Sequence, residues 1–88
     1  MQLNKDFTIQ KVGNVYVAVP VGETSRQFLG MVRLNETGAF LWKRMAEGEC
    51  TEEDLVNALL SEYDVTREVA ARDVHKVVEL LQENCILL

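Results

Sequence analysis

Leu34-Asn35-Glu36-Thr37-Gly38-Ala39-Phe40-Leu41-Trp42 is where the 88-residue chain changes its pattern. Before it, apolar residues alternate or run in short β-branched blocks; after it, they recur at helical spacing. Asn35 is suited to cap a helix, because its side-chain oxygen accepts from a free backbone N–H of the first turn. Glu36 follows at the positive end of the helix dipole. Ala39, Phe40, Trp42 and Met45 supply an apolar side, and Gly48 is a plausible stop. Gly38 within this helix costs about 1 kcal/mol relative to alanine, so close packing is expected there.

Upstream, three strands are expected. Residues 7–12 and 15–19 are β-branched runs separated by Gly13-Asn14, a hairpin signal. Pro20 ends the second strand because it cannot donate to a ladder. Residues 21–27 form a polar loop, and residues 28–34 are the third strand. Phe28, Gly30, Val32 and Leu34 share one face of it; Leu29, Met31 and Arg33 share the other. Gly30 weakens the strand or lets something approach its backbone closely.

Downstream, two more helices follow. Thr51 opens one, with Glu52, Glu53 and Asp54 in its first turn and Leu55, Val56, Leu59, Leu60 and Tyr63 as its stripe. Thr66 opens the other, which runs to about Asn84, a residue suited to a left-handed stop. Its central stripe is Ala70, Val74, Val77 and Leu81, widened by Ala71, Val78 and Leu80. Ile86-Leu87-Leu88 is expected to pack back on the core. Strands followed by helices indicate an α+β fold, a three-stranded sheet and three helices in a winged-helix-like order. One domain spans residues 1–88, with no repeat, linker or low-complexity tract.

Composition narrows the function classes. Residues 1–48 carry six basic side chains and four acids, whereas residues 49–88 carry three basic side chains and ten acids. Residues 49–64 hold six acids and no Lys or Arg, which argues against a DNA-reading helix-turn-helix. Two cysteines without a CxxC pair and a single histidine argue against a disulfide framework or zinc site. His75 falls on the polar side of the third helix with no nucleophile or carboxylate dyad assigned to it, and no phosphate loop is present. These features lead to a non-enzyme without metal or cofactor. No apolar run approaches the roughly 20 residues of a membrane span, and the first residues lack a signal-peptide pattern. A soluble, cytoplasmic protein is expected.

Peptide binding fits better than catalysis. A short three-stranded sheet exposes edges, and an edge accepts an extended peptide as an added strand. The third strand carries large apolar groups on both faces, and periodicity does not choose which face is core. On the third helix Val69, Asp73, Lys76 and Leu80 form a mixed flank that could wall a groove. The opposite flank, Ala71, His75, Val78 and Gln82, is the rival wall.

Residues 34–42, Cys50-Thr51-Glu52-Glu53-Asp54-Leu55-Val56, Leu60-Ser61-Glu62-Tyr63 and residues 74–88 resemble the PqqD family. This family includes the peptide chaperone of pyrroloquinoline quinone biosynthesis. Its fold is also called the recognition element of ribosomally made, post-translationally modified peptides (RiPPs). The resemblance covers essentially the whole chain, is strongest from Leu34 onward and is looser over the first two strands. It implies three antiparallel strands followed by three helices, and a non-catalytic adaptor. Such an adaptor binds the leader segment of a precursor peptide on the third strand and presents it to a modifying enzyme, often of the radical SAM type. Carried over by position, the peptide site comprises Phe28, Leu29, Gly30, Met31, Val32, Arg33, Val69, Arg72, Asp73, Lys76 and Leu80. Within it Leu29, Met31, Val69 and Leu80 would take apolar side chains. Arg33, Arg72 and Lys76 would face acidic leader residues, and Asp73 basic ones. Two other readings stand beside this one: a winged-helix DNA-binding regulator, and a dimerisation module in which the apolar edge strand pairs with its own copy.

Overall fold

The computed structural model describes residues 1–22 and 32–87. Three strands, β1 (Phe7–Val12), β2 (Val15–Pro20) and β3 (Val32–Leu34), precede three helices, α1 (Glu36–Ala46), α2 (Glu52–Glu62) and α3 (Arg67–Glu83). The sheet order is β1-β2-β3 and both pairings are antiparallel. Val12 opposite Val15 closes a two-residue turn in which Gly13 has φ +62°, the left-handed conformation such a hairpin needs. β2 ends at Pro20, opposite Phe7. Within the expected third strand, Phe28, Leu29, Gly30 and Met31 lie outside the described residues.

Each helix starts on a side-chain cap. The Gly38 N–H donates to Asn35 Oδ1 at 2.8 Å, and the Val69 N–H donates to Thr66 Oγ1 at 3.2 Å. Thr51 and Asp54 form a reciprocal capping box, at 3.1 Å and 2.9 Å. The end of α3 differs from expectation. Asn84 has φ −101°, and the left-handed residue is Cys85 at φ 58°. Asn84 instead uses its carboxamide, whose Nδ2 donates to the Leu80 carbonyl at 2.9 Å and satisfies one of the orphan acceptors of the last turn.

The core lies between one sheet face and the helices. Phe7, Ala18 and Leu34 of the sheet join Leu41, Trp42, Leu55, Leu59, Val74, Leu81 and Ile86, and Val32 packs against this cluster. Alternation therefore assigns Val32 and Leu34 to the core face and exposed Arg33 to the other. Full burial of such a leucine, isoleucine or valine is worth about 1.5–3 kcal/mol. The buried stripe of α3 is Ala70, Val74, Val78 and Leu81. Ala70, Val74 and Leu81 are as expected, but Val78 takes the place of Val77, which is half-buried at the margin, and Ala71 is exposed.

The chain's first residues close the core from below. Leu3 forms an antiparallel bridge with Leu87, and the Asn4 N–H donates to the Ile86 carbonyl at 2.7 Å. Ile86 and Leu87 are buried, as the apolar tail suggested; Leu88 lies outside the described residues.

Candidate functional site

Among the described residues, β3 has a sheet neighbour only on its β2 side. In an antiparallel ladder, alternate residues turn their N–H and C=O groups toward each side, so an edge strand offers donors and acceptors outward. β3 then runs through Asn35 directly into α1, so its open edge leads to the start of that helix, with α3 alongside.

Two adjoining hollows lie between β3, the start of α1 and α3. The first, about 180 Å³, is walled by Arg33, Leu34, Asn35, Lys76, Val77 and Leu80. The second, about 110 Å³, is walled by Asn35, Thr37, Asp73, Lys76 and Val77. Asn35, Lys76 and Val77 belong to both, so the hollows form one groove. An apolar cavity of roughly 150 Å³ holds a benzene molecule. The first hollow, floored by Leu34, Val77 and Leu80, thus has room for one aliphatic side chain.

The groove is polar in two ways. Arg33 and Lys76 are exposed at the rim of the first hollow, and among the described residues neither takes part in an ion pair. Half-buried Asp73 stands in the second hollow beside Thr37. Arg33, Asp73, Lys76 and Leu80 of the expected site are therefore brought together. Val32 faces the core. Val69, half-buried, and Arg72, exposed, lie on α3 but do not wall either hollow.

The rival flank of α3 is engaged elsewhere. Val78 is buried, and His75 reaches toward Glu52 Oε1 of α2 and Glu79 Oε2, each at 3.5 Å. This bracketing of His75 by two carboxylates was not expected, since Glu52 is distant in sequence. Val77 is a wall residue that sequence reasoning placed in the core stripe of α3, and Leu34 is one whose face periodicity left open. Val77 follows Lys76 directly and precedes Leu80 by three, so helical spacing alone would have admitted it to the flank.

A larger cavity, about 500 Å³, lies away from the β3 edge, between the first residues and the C-terminal end of α1, with Phe7, Trp42 and Met45 in its wall. Among the described residues no group of three His, Cys, Asp or Glu side chains could hold a metal ion. Cys50 is buried, Cys85 is exposed, and both are free thiols. No described helix is long and apolar enough to cross a membrane.

An α+β domain of three antiparallel strands followed by three helices is the architecture of a known class. The family model for Coenzyme PQQ synthesis protein D (PqqD) matches residues 20–87. The chain belongs to this family. Two solved structures share the fold over nearly its full length. One is TbiB1 in complex with the TbiA(beta) leader peptide; it superposes with a TM-score of 0.76 at 22% identity, covering 99% of this chain and 94% of that one. The other is lasso peptide synthetase B1 complexed with the leader peptide, with a TM-score of 0.75 at 28% identity, covering 99% and 95%. Comparison with curated protein sequences gives no match.

Proposed function

We propose that this chain is a peptide-binding adaptor that takes the leader segment of a ribosomally made precursor as an added strand on β3. It then presents the precursor to a modifying enzyme, of the radical SAM type that the PqqD resemblance implies. The observation that carries this reading is the open edge of β3 running into an apolar-floored groove walled by α3. Membership of the PqqD family and the likeness to two leader-peptide complexes support it. Backbone hydrogen bonds along β3 supply affinity, and the groove supplies selectivity. Of the expected site, Val32 and Arg33 would contribute the strand, with residues 28–31 extending it, and Asp73, Lys76 and Leu80 the helical wall. Val69 and Arg72 would meet the peptide beyond the groove. An adaptor must also release its cargo, and binding at about micromolar strength, near −8 kcal/mol, suffices. The chain itself performs no chemistry in this reading. Its two free thiols suit a reducing cytoplasm, where precursor peptides are made.

The test is an NMR titration of the labelled chain with the leader half of a precursor peptide encoded beside its gene. Saturable amide shifts concentrated in residues 28–34 and 67–80 are expected. Saturable shifts confined to β1 or α2 would move the site. Absence of shifts with every neighbouring short peptide, and with the modifying enzyme present, would overturn the adaptor reading. A dimer that persists on dilution without peptide would favour self-pairing of the edge strand instead.

A further inference from the structure

The groove does not treat both charges alike. Its first hollow combines a small apolar floor, Leu34, Val77 and Leu80, with two cations at the rim, Arg33 and Lys76. Among the described residues neither cation has a carboxylate partner within the chain, in a protein whose formal net charge is −5. Acids are plentiful on α3, yet Glu79 is turned to His75 on the flank facing α2. The carboxylate that enters the groove, Asp73, stands at the other end, in the second hollow, which it shares with Lys76.

Strand geometry converts this layout into a sequence preference. Successive side chains of an added strand point to opposite faces of the sheet. A residue seated over Leu34, Val77 and Leu80 lies on the face toward α3. The residue next to it points to the opposite face, which is the face Arg33 occupies. The residue two positions away returns to α3. In the direction of the second hollow it meets Asp73 and the Thr37 side of α1.

Resting on the adaptor reading above, we infer that the groove selects a leader segment in which an aliphatic residue adjoins an acidic one. The aliphatic side chain fills the first hollow, and the neighbouring carboxylate pairs with Arg33, with the Lys76 ammonium adding attraction at the rim. Asp73 repels a second acid two positions from the anchor on its side and accepts a hydroxyl or a basic residue there. Lys76 is common to both hollows, so it is Arg33 at one end and Asp73 at the other that fix which way the segment lies. Electrostatic complementarity of this kind sets orientation and partner choice more than it sets total affinity.

The test uses the full chain and a library of random short peptides displayed on their own mRNA. Selection on the wild-type chain is expected to enrich an aliphatic residue next to Asp or Glu. Selection on the Arg33→Glu variant is expected to keep the aliphatic residue and exchange the acid for Lys or Arg. Arg33 is exposed, so the variant should retain the wild-type fold, checked by its amide spectrum. For one enriched peptide, changing its acid to the matching amide should weaken binding about fivefold, a difference that shrinks with added salt, falls to the small Lys76 contribution in Arg33→Gln and vanishes when Lys76→Gln is added. An enriched aliphatic position with no charge bias, or the same motif from both chains, overturns the inference and leaves the adaptor reading intact. Failure to enrich any peptide that shifts residues 32–34 and 73–80 overturns both.

Discussion

Gly38 sits where β3 hands the chain to α1, and it tests whether local preference or packing governs that junction. Alanine there would gain about 1 kcal/mol of helix propensity. Its Cβ, however, would lie 3.3 Å from Asn35 Oδ1 and 3.3 Å from Leu34 Cβ and Cδ2. Neither neighbour is free to retreat: Asn35 Oδ1 accepts the Gly38 N–H, and Leu34 is buried in the core. Gly38→Ala is therefore expected to destabilise by about 1 kcal/mol, seen as a lower Tm. A higher Tm would mean that Leu34 yields. The need for close packing at Gly38 was legible, since a glycine inside a capped helix weakens it and belongs where a neighbour needs the space of a side chain. Its partner atoms were not legible, because they depend on how the strand enters. Two titrating groups belong to this scale as well. Burial pushes the Cys50 thiol above its ordinary 9.0, against the lowering effect of nearby cations. Burial, then the carboxylates of Glu36 and Glu62 and the neighbouring Tyr16, raises the Tyr63 phenol above 10.0. In both cases the folded chain holds its proton more tightly than the unfolded chain does. The associated stability is complete below the unfolded value and is lost as pH rises through the folded one. The urea midpoint should fall as pH is raised from neutral to above 10.0. Cys50→Ala together with Tyr63→Phe should flatten that slope, and an unchanged slope would remove these two groups as its cause.

At the scale of the element, α3 serves two masters, and adjacent leucines show the division. Leu81 is fully buried in the core, whereas Leu80 is half-buried in the groove wall. Leu81→Ala should cost about 3 kcal/mol by urea denaturation, while Leu80→Ala should cost about 1 kcal/mol. Only the second is expected to weaken leader binding while leaving a native amide spectrum. Equal stability losses would show that the groove floor is ordinary core. The helix itself, its Thr66 cap and its polar flank were legible from spacing. The assignment of Val77 was not. Val77 and Val78 are adjacent and chemically identical, and the pattern alone does not say which one is core and which is wall. The ends of elements were likewise less legible than their middles: Asn84 bonds back to Leu80 and leaves the left-handed position to Cys85, a residue type rarely chosen for it.

Over the whole molecule, most of the architecture is assembled from neighbours in sequence. The β1–β2 hairpin closes through two residues, and the three helices are each capped within their own first turn. Such features are readable in the sequence because their partners stand three or four residues apart. The pairing of Leu3 with Leu87, and of Asn4 with Ile86, was not readable, since no local pattern marks partners more than eighty residues apart. That long-range pairing has a consequence in time. Local turns and caps form early, while contacts of large sequence separation carry the greatest loop-closure cost and join late. Asn4 and Ile86 should thus be absent from the rate-limiting encounter. Ile86→Val, which trims one methylene from a fully buried side chain, should cost about 1 kcal/mol and express it almost wholly as faster unfolding. Stopped-flow chevrons would show the refolding arm unmoved; a refolding arm that slows instead would place this clasp in the nucleus. If it closes last, it is also the contact whose opening first commits the molecule to unfold, and the lifetime of the native state is set at the seam farthest apart in the chain.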